Sequence, residues 1–152
     1  MMSLLGLLIV VVVIAGVFAG WPEWRAYATY RRRKCAGALW RHEFPSASKS
    51  EIRLFLSCLV DGMGFPRKIR LQFQPGDEVV SICRSLYGGK TPLADSMECE
   101  KFAQLLAHEF KIPLKEILAQ WHEEVTLADL FAVVRRSPGV LPNLRIERAR
   151  EG

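Results

Sequence analysis

The hydrophobic positions follow two regimes. From Leu4 to Ala19 the chain reads LLGLLIVVVVIAGVFA; residues 1–20 carry no charged side chain, and 16 of the 20 are hydrophobic. As a helix, residues 2–21 would extend about 30 Å, the thickness of a hydrocarbon core. Beyond this run apolar residues recur at intervals of three and four. Ser48-Lys-Ser-Glu51 has the form of a capping box, with Ile52, Phe55, Leu56 and Leu59 behind it, which predicts a helix over 49–61 stopped by Asp61-Gly62-Met63-Gly64. Lys68 to Phe73 alternates, with Ile69, Leu71 and Phe73 on one side, the pattern of one short strand. A turn at Pro75-Gly76-Asp77 leads into a helix with Val79, Ile82, Cys83 and Leu86 on one face and Gly88-Gly89 as its stop. Asp95-Ser96-Met97-Glu98 forms a second capping box. Cys99, Phe102, Ala103, Leu106 and Phe110 then predict an amphipathic helix over 96–110, broken by Ile112-Pro113. Leu114, Ile117, Leu118 and Trp121 make a short apolar face. Thr126-Leu-Ala-Asp129 caps a last helix, with Leu127, Leu130, Phe131 and Val134 facing inward.

The fold class that follows is mainly α: a single N-terminal transmembrane helix and a small helical bundle with at most one short strand. The expected division is an anchor over 1–21, a basic juxtamembrane helix or linker over 22–46, the helical domain over 47–136, and a basic tail over 137–152. Trp21 and Trp24 stand where an interfacial aromatic belt would lie, and Arg31, Arg32, Arg33 and Lys34 follow them. No Lys or Arg precedes the apolar run. Positive-inside logic therefore expects a single-pass protein of the inner or plasma membrane with residues 25 onward in the cytoplasm. A cleaved signal peptide is the rival, with Val17-Phe18-Ala19 as its cleavage site, but it would carry its cations ahead of the apolar run rather than behind it.

Charge sharpens this picture. The net +5 arises at the two ends: residues 21–41 contribute +5 and residues 135–152 contribute +3, whereas residues 42–134 carry −3. A mildly acidic folded part argues against a nucleic-acid-binding face. Without its first 20 residues the chain has the hydrophobic content of an ordinary globular domain, which excludes disorder throughout and a polytopic membrane protein. Cys35, Cys58, Cys83 and Cys99 are widely spaced and form no C-x-x-C pair, so they read as buried thiols rather than a disulfide framework. His42, His108 and His122 show no metal-ligand spacing, and no metal is expected.

Residues 93–134 resemble an acyl carrier protein. The family opens its second helix with Asp-Ser-Leu, where this chain has Asp95-Ser96-Met97. It closes that helix with Glu-Phe, a variable residue and Ile, matched here by Glu109-Phe110-Lys111-Ile112. Its last helix opens on a Thr-Val-x-Asp-like cap, matched by Thr126-Leu127-Ala128-Asp129. Two positions depart from the family pattern: Ala94 stands where Gly is usual, and Lys101 replaces a carboxylate that family partners read.

The resemblance implies an acyl-carrier-like helical bundle. It also implies 4′-phosphopantetheine attached at Ser96 with Asp95 beside it, and no catalysis by the protein itself. Partners would be a phosphopantetheinyl transferase and acyl-processing enzymes, met through Glu98, Glu100 and Glu109. A phosphodiester would suit this position, because a helix N-terminus offers free N–H groups and the positive end of the dipole. Residues 95–129 carry eight carboxylates against three lysines, a surface that steers a basic partner. The alternative is a non-catalytic, membrane-tethered interaction or immunity-type protein with the same fold and an unmodified Ser96. Two other constellations are weak. Ser96, His108 and Asp129 lack a G-x-S-x-G elbow. Gly88-Gly89-Lys90-Thr91 has Arg84 where a P-loop needs its first Gly.

Overall fold

A computed structural model describes residues 27–87 and 97–136. After a short helical stretch over 27–31 come α1 (Gly37–Glu43), α2 (Lys49–Met63), a 3-10 segment (Arg67–Gln72), α3 (Val79–Leu86), α4 (Met97–Phe110), α5 (Leu114–Leu118) and α6 (Leu127–Arg136). The chain is mainly helical, as its periodicity predicts.

Two helix starts have a local cause, a capping box. At α2 the Ser48 Oγ accepts from Glu51 N–H (3.1 Å), and the Glu51 carboxylate accepts from Ser48 N–H (2.6 Å), so two orphan donors are satisfied reciprocally. The helix runs through Gly62 to Met63. It ends at Gly64, whose φ of 75° is left-handed, with Phe65 N–H donating back to Val60 O (2.8 Å). At α6, Asp129 N–H donates to Thr126 Oγ1 (3.2 Å), while Thr126 N–H donates to the Asp129 carboxylate (3.0 Å). The starts of α3 and α6 also bind each other. Val79 N–H donates to Val125 O, Leu127 N–H to Asp77 O, and Ala128 N–H to Pro75 O, at 2.8–3.0 Å. First-turn donors that helices leave unpaired are thus met by the partner loop's carbonyls.

Two expectations of the fold class fail. No helix among the described residues is long and apolar enough to cross a membrane. The 15 residues of α2 span only about 22 Å, and that helix carries Glu51, Arg53 and Asp61. A bundle behind a transmembrane helix is therefore not the architecture found. The run over 1–21 on which that expectation rested lies outside the described residues. The expected strand is also absent: no strand occurs among the described residues, and Arg67–Gln72 is a 3-10 helix. Among the described residues no strand lies beside it to supply a ladder. The segment instead closes its own turn, with Ile69 N–H donating to Pro66 O (3.1 Å). Its Leu71 O accepts from Ala36 N–H (2.6 Å), and Ile69 and Phe73 are buried.

The core centres on α2 packed against α4, where Gly62 lets the helices approach until the Phe102 Cα lies 2.7 Å from where a Cβ on residue 62 would be. Trp40, Phe44, Phe55 and Phe131 form an aromatic cluster with centroids 4.9–6.0 Å apart, and Phe102 joins it at Phe55. Tyr30, Phe65 and Phe73 form a second. Residues 27–43 therefore contribute to the core. The chain turns at 32–33 and runs without helix to 36. Tyr30, Ala36 and Trp40 are buried, and the Trp40 indole N–H donates to Phe73 O (2.8 Å). Arg33 Nη1 donates to both carboxylate oxygens of Asp77 (2.7 and 2.8 Å) and lies over the Tyr30 ring (4.7 Å).

The cysteines are not all thiols. Cys83 on α3 and Cys99 on α4 form a disulfide, which corrects the reading of four buried thiols. The two lie 16 residues apart in sequence and meet because both α3 and α4 turn them inward. Cys58 is a buried free thiol and Cys35 is exposed.

Candidate functional site

The site the sequence singles out straddles the start of α4. Ser96 and Asp95 lie outside the described residues, as do Trp21 and Trp24; α4 begins at Met97, directly after Ser96. Met97 is 80% exposed, the most exposed of the large hydrophobic side chains described. On the same turn Glu98 is half-buried and Glu100 exposed. Glu100 Oε1 accepts from Gln104 Nε2 (2.9 Å). Glu98 Oε2 is buried and has no hydrogen-bond partner among the described residues. Glu109 is eleven residues further along the helix, about 16 Å away, where it contacts His108 Nδ1 (3.2 Å). So Glu98 and Glu100 share one site, and Glu109 stands apart from it.

Glu98 and Glu100 edge a cavity of about 770 Å³, within the ~300–1,000 Å³ usual for small-molecule sites. Its wall is built where α2 ends, the 3-10 segment begins, α3 ends and α4 starts; Met63, Phe65 and Leu86 back it from the core, and Pro66, Tyr87 and Met97 supply its accessible apolar surface. Tyr27 and Lys101 complete the rim. Neither was legible as a site residue. Tyr27 lies in the basic stretch read as a membrane flank, and Lys101 appears in sequence only as a departure from a family pattern. The Cys83–Cys99 disulfide ties the two helices that carry Leu86 and Met97.

Of the basic cluster, Arg31, Arg32 and Lys34 are exposed, whereas Arg33 is held by Asp77. Arg31 and Lys68 both lie over the Tyr27 ring, at 6.0 and 5.7 Å from its centroid. At the end of α2, Arg67 donates to the Asp61 carboxylate (2.6–3.2 Å). That hydrogen bonding holds Asp61 below its ordinary carboxylate range, and the charge of Lys101 acts in the same direction. Thr126 likewise lowers Asp129 through side-chain and backbone hydrogen bonds. Burial pushes the Cys58 thiol up to about 12 and raises the Tyr30 phenol. Among the described residues no group of three or more His, Cys, Asp or Glu side chains is placed to hold a metal ion.

What this arrangement can do is bind. It joins an apolar recess, an exposed thioether and charges of both signs at the head of a 14-residue helix. Comparison with family models, with curated proteins and with solved structures finds no match.

Proposed function

We propose that the helical domain is a carrier-like module that holds an acyl group on a phosphopantetheine arm at Ser96 and presents it to partner enzymes. The observation behind this reading is the start of α4 immediately after Ser96, followed by short α5 and by α6 with its Thr126–Asp129 cap. α2 packs along α4. An ester phosphate at Ser96 would face the first turn of a 14-residue helix, whose N–H groups and dipole favour an anion. Met97 projects outward at that turn and the cavity adjoins it; the Glu98 and Glu100 carboxylates on the same turn offset part of the dipole's attraction for an anion. The arm would supply a thiol for thioester formation. Asp95 would sit beside its root, and Glu98 and Glu100 would steer a basic partner such as the transferase, with Glu109 a more distant contact.

The test is the intact mass of the full-length chain after co-expression with a broad-specificity phosphopantetheinyl transferase. Addition of one phosphopantetheine, lost in Ser96→Ala, is expected. An unmodified mass on a folded chain would turn the assignment to the interaction-protein reading, in which Ser96→Ala costs only a capping contribution of at most about 1 kcal/mol.

A further inference from the structure

We infer that the cavity beside α4 binds, without any covalent bond, a single-chain anionic amphiphile, with its tail on Pro66, Tyr87 and Met97 and its headgroup at the Tyr27 rim. Three observations converge. The recess is mostly apolar where α2, the 3-10 segment and α3 meet, with Pro66 and Tyr87 exposed in it. Met97 at its edge is 80% exposed, an apolar group that a hydrocarbon tail would cover. Cations then gather at the Tyr27 side. Arg31 and Lys68 stack on the Tyr27 ring that forms part of the wall, and Lys101 lines the cavity itself. Arg31 and Lys68 are exposed and have no carboxylate within ion-pair distance among the described residues.

The acids present set the orientation of the ligand. Asp61 is already taken by Arg67. Glu98 and Glu100 occupy the first turn of α4 and would repel an anion there, directing the headgroup to Arg31 and Lys68. A carboxylate or a phosphate headgroup satisfies the same two cations. This binding does not depend on Ser96 or on any arm attached to it.

The experiment is photolabelling of the full-length chain, held in a zwitterionic micelle, with a palmitic acid carrying a diazirine near its tail end. Labelled peptides are mapped by mass spectrometry. Labelling is expected on peptides containing Met63–Pro66 and Leu86–Met97, and it should be unchanged in Ser96→Ala. The exposed-residue double variant Arg31→Glu/Lys68→Glu should lower it by about fivefold or more, as loss and reversal of two surface charge contacts would. The methyl ester of the probe should label these peptides weakly. Competition by free palmitate or by lysophosphatidylglycerol supports the site and tells a carboxylate from a phosphodiester source. Labelling confined to residues 1–26, equal labelling by acid and ester, or indifference to the double variant would overturn the inference. Circular dichroism of the double variant, matching that of the parent chain, keeps a loss of labelling from being read as a loss of fold.

Discussion

Gly62→Ala is the sharpest test of how α2 meets α4. By helix propensity alone the change should stabilise the protein, because alanine is favoured over glycine within a helix by about 1 kcal/mol. The structure reverses that sign. A Cβ at residue 62 would lie 2.7 Å from Phe102 Cα, 2.8 Å from its Cβ and 2.9 Å from its N. These are backbone atoms and the first side-chain atom, so no rotamer change relieves the clash; the helices must separate. Separation would loosen Phe102, which is fully buried and 6.0 Å from the Phe55 ring. Overpacking of this kind costs about 1–3 kcal/mol, occasionally more. With rigid backbone as the neighbour the upper end applies. Set against the propensity gain, the net loss is about 2 kcal/mol. Urea unfolding of the full-length chain, followed by far-ultraviolet circular dichroism, would read this as a midpoint lower by about 1 M. Gly64→Ala is the control: nothing lies within 4 Å of its Cβ, and only its φ of 75° opposes the change, at about 1 kcal/mol. Gly62→Ala should therefore be the more damaging. If it proved neutral or stabilising, the close crossing of α2 and α4 would be refuted.

Other outcomes follow from named contacts. Trp40→Phe should cost about 1–3 kcal/mol in the same unfolding assay, because it keeps an aromatic ring but strands the buried Phe73 carbonyl that now accepts at 2.8 Å. Iodoacetamide at neutral pH should modify Cys35 in the folded protein and spare Cys58, whose thiol burial pushes up to about 12; two more thiols should appear only after reduction. Reduction of Cys83–Cys99 should lower stability by about 3 kcal/mol, the chain-entropy value for a loop of this size. Asp61 and Asp129 have folded-state pKa values below the ordinary 3.8, so the stability they add is present above that value and is lost as the pH falls through their depressed folded values. Asp129→Asn should flatten that acid limb, measured as thermal midpoint against pH.

Helix existence was legible because the signal is local. Ser48 and Glu51, or Thr126 and Asp129, carry their partners three residues away, and the apolar spacing behind them is regular. What failed needed a distant partner. Alternation at Ile69, Leu71 and Phe73 reads as a strand, but a strand requires a neighbour to pair with, and none is present among the described residues. The stop was legible only as the stretch Asp61-Gly62-Met63-Gly64; the left-handed residue in it is Gly64, while Gly62 stays helical and serves a helix 40 residues away in sequence. The cysteine pairing was hidden for the same reason: a spacing of 16 carries no motif, and only the packing of α3 on α4 brings the two sulfurs together.

The candidate site divides along the same line. Glu98 and Glu100 were visible as acids flanking Ser96 because they belong to one helical turn. The cavity they border was invisible, since its surface is assembled from the stretch before α1, the end of α2, the 3-10 segment and α3 as well as α4. The basic run 31–34 shows the cost of reading charge as a block. A block suggests one shared role, and the structure gives its members different ones. Arg33 leaves the run to lock Asp77 at the α3–α6 junction; Arg31 turns to Tyr27; Arg32 and Lys34 stay exposed. A role for this stretch in ligand or partner recognition therefore rests on Arg31 together with Lys68, a pairing made by the fold. Reversing Arg33 instead would break a half-buried ion pair and destabilise the domain before it altered any binding.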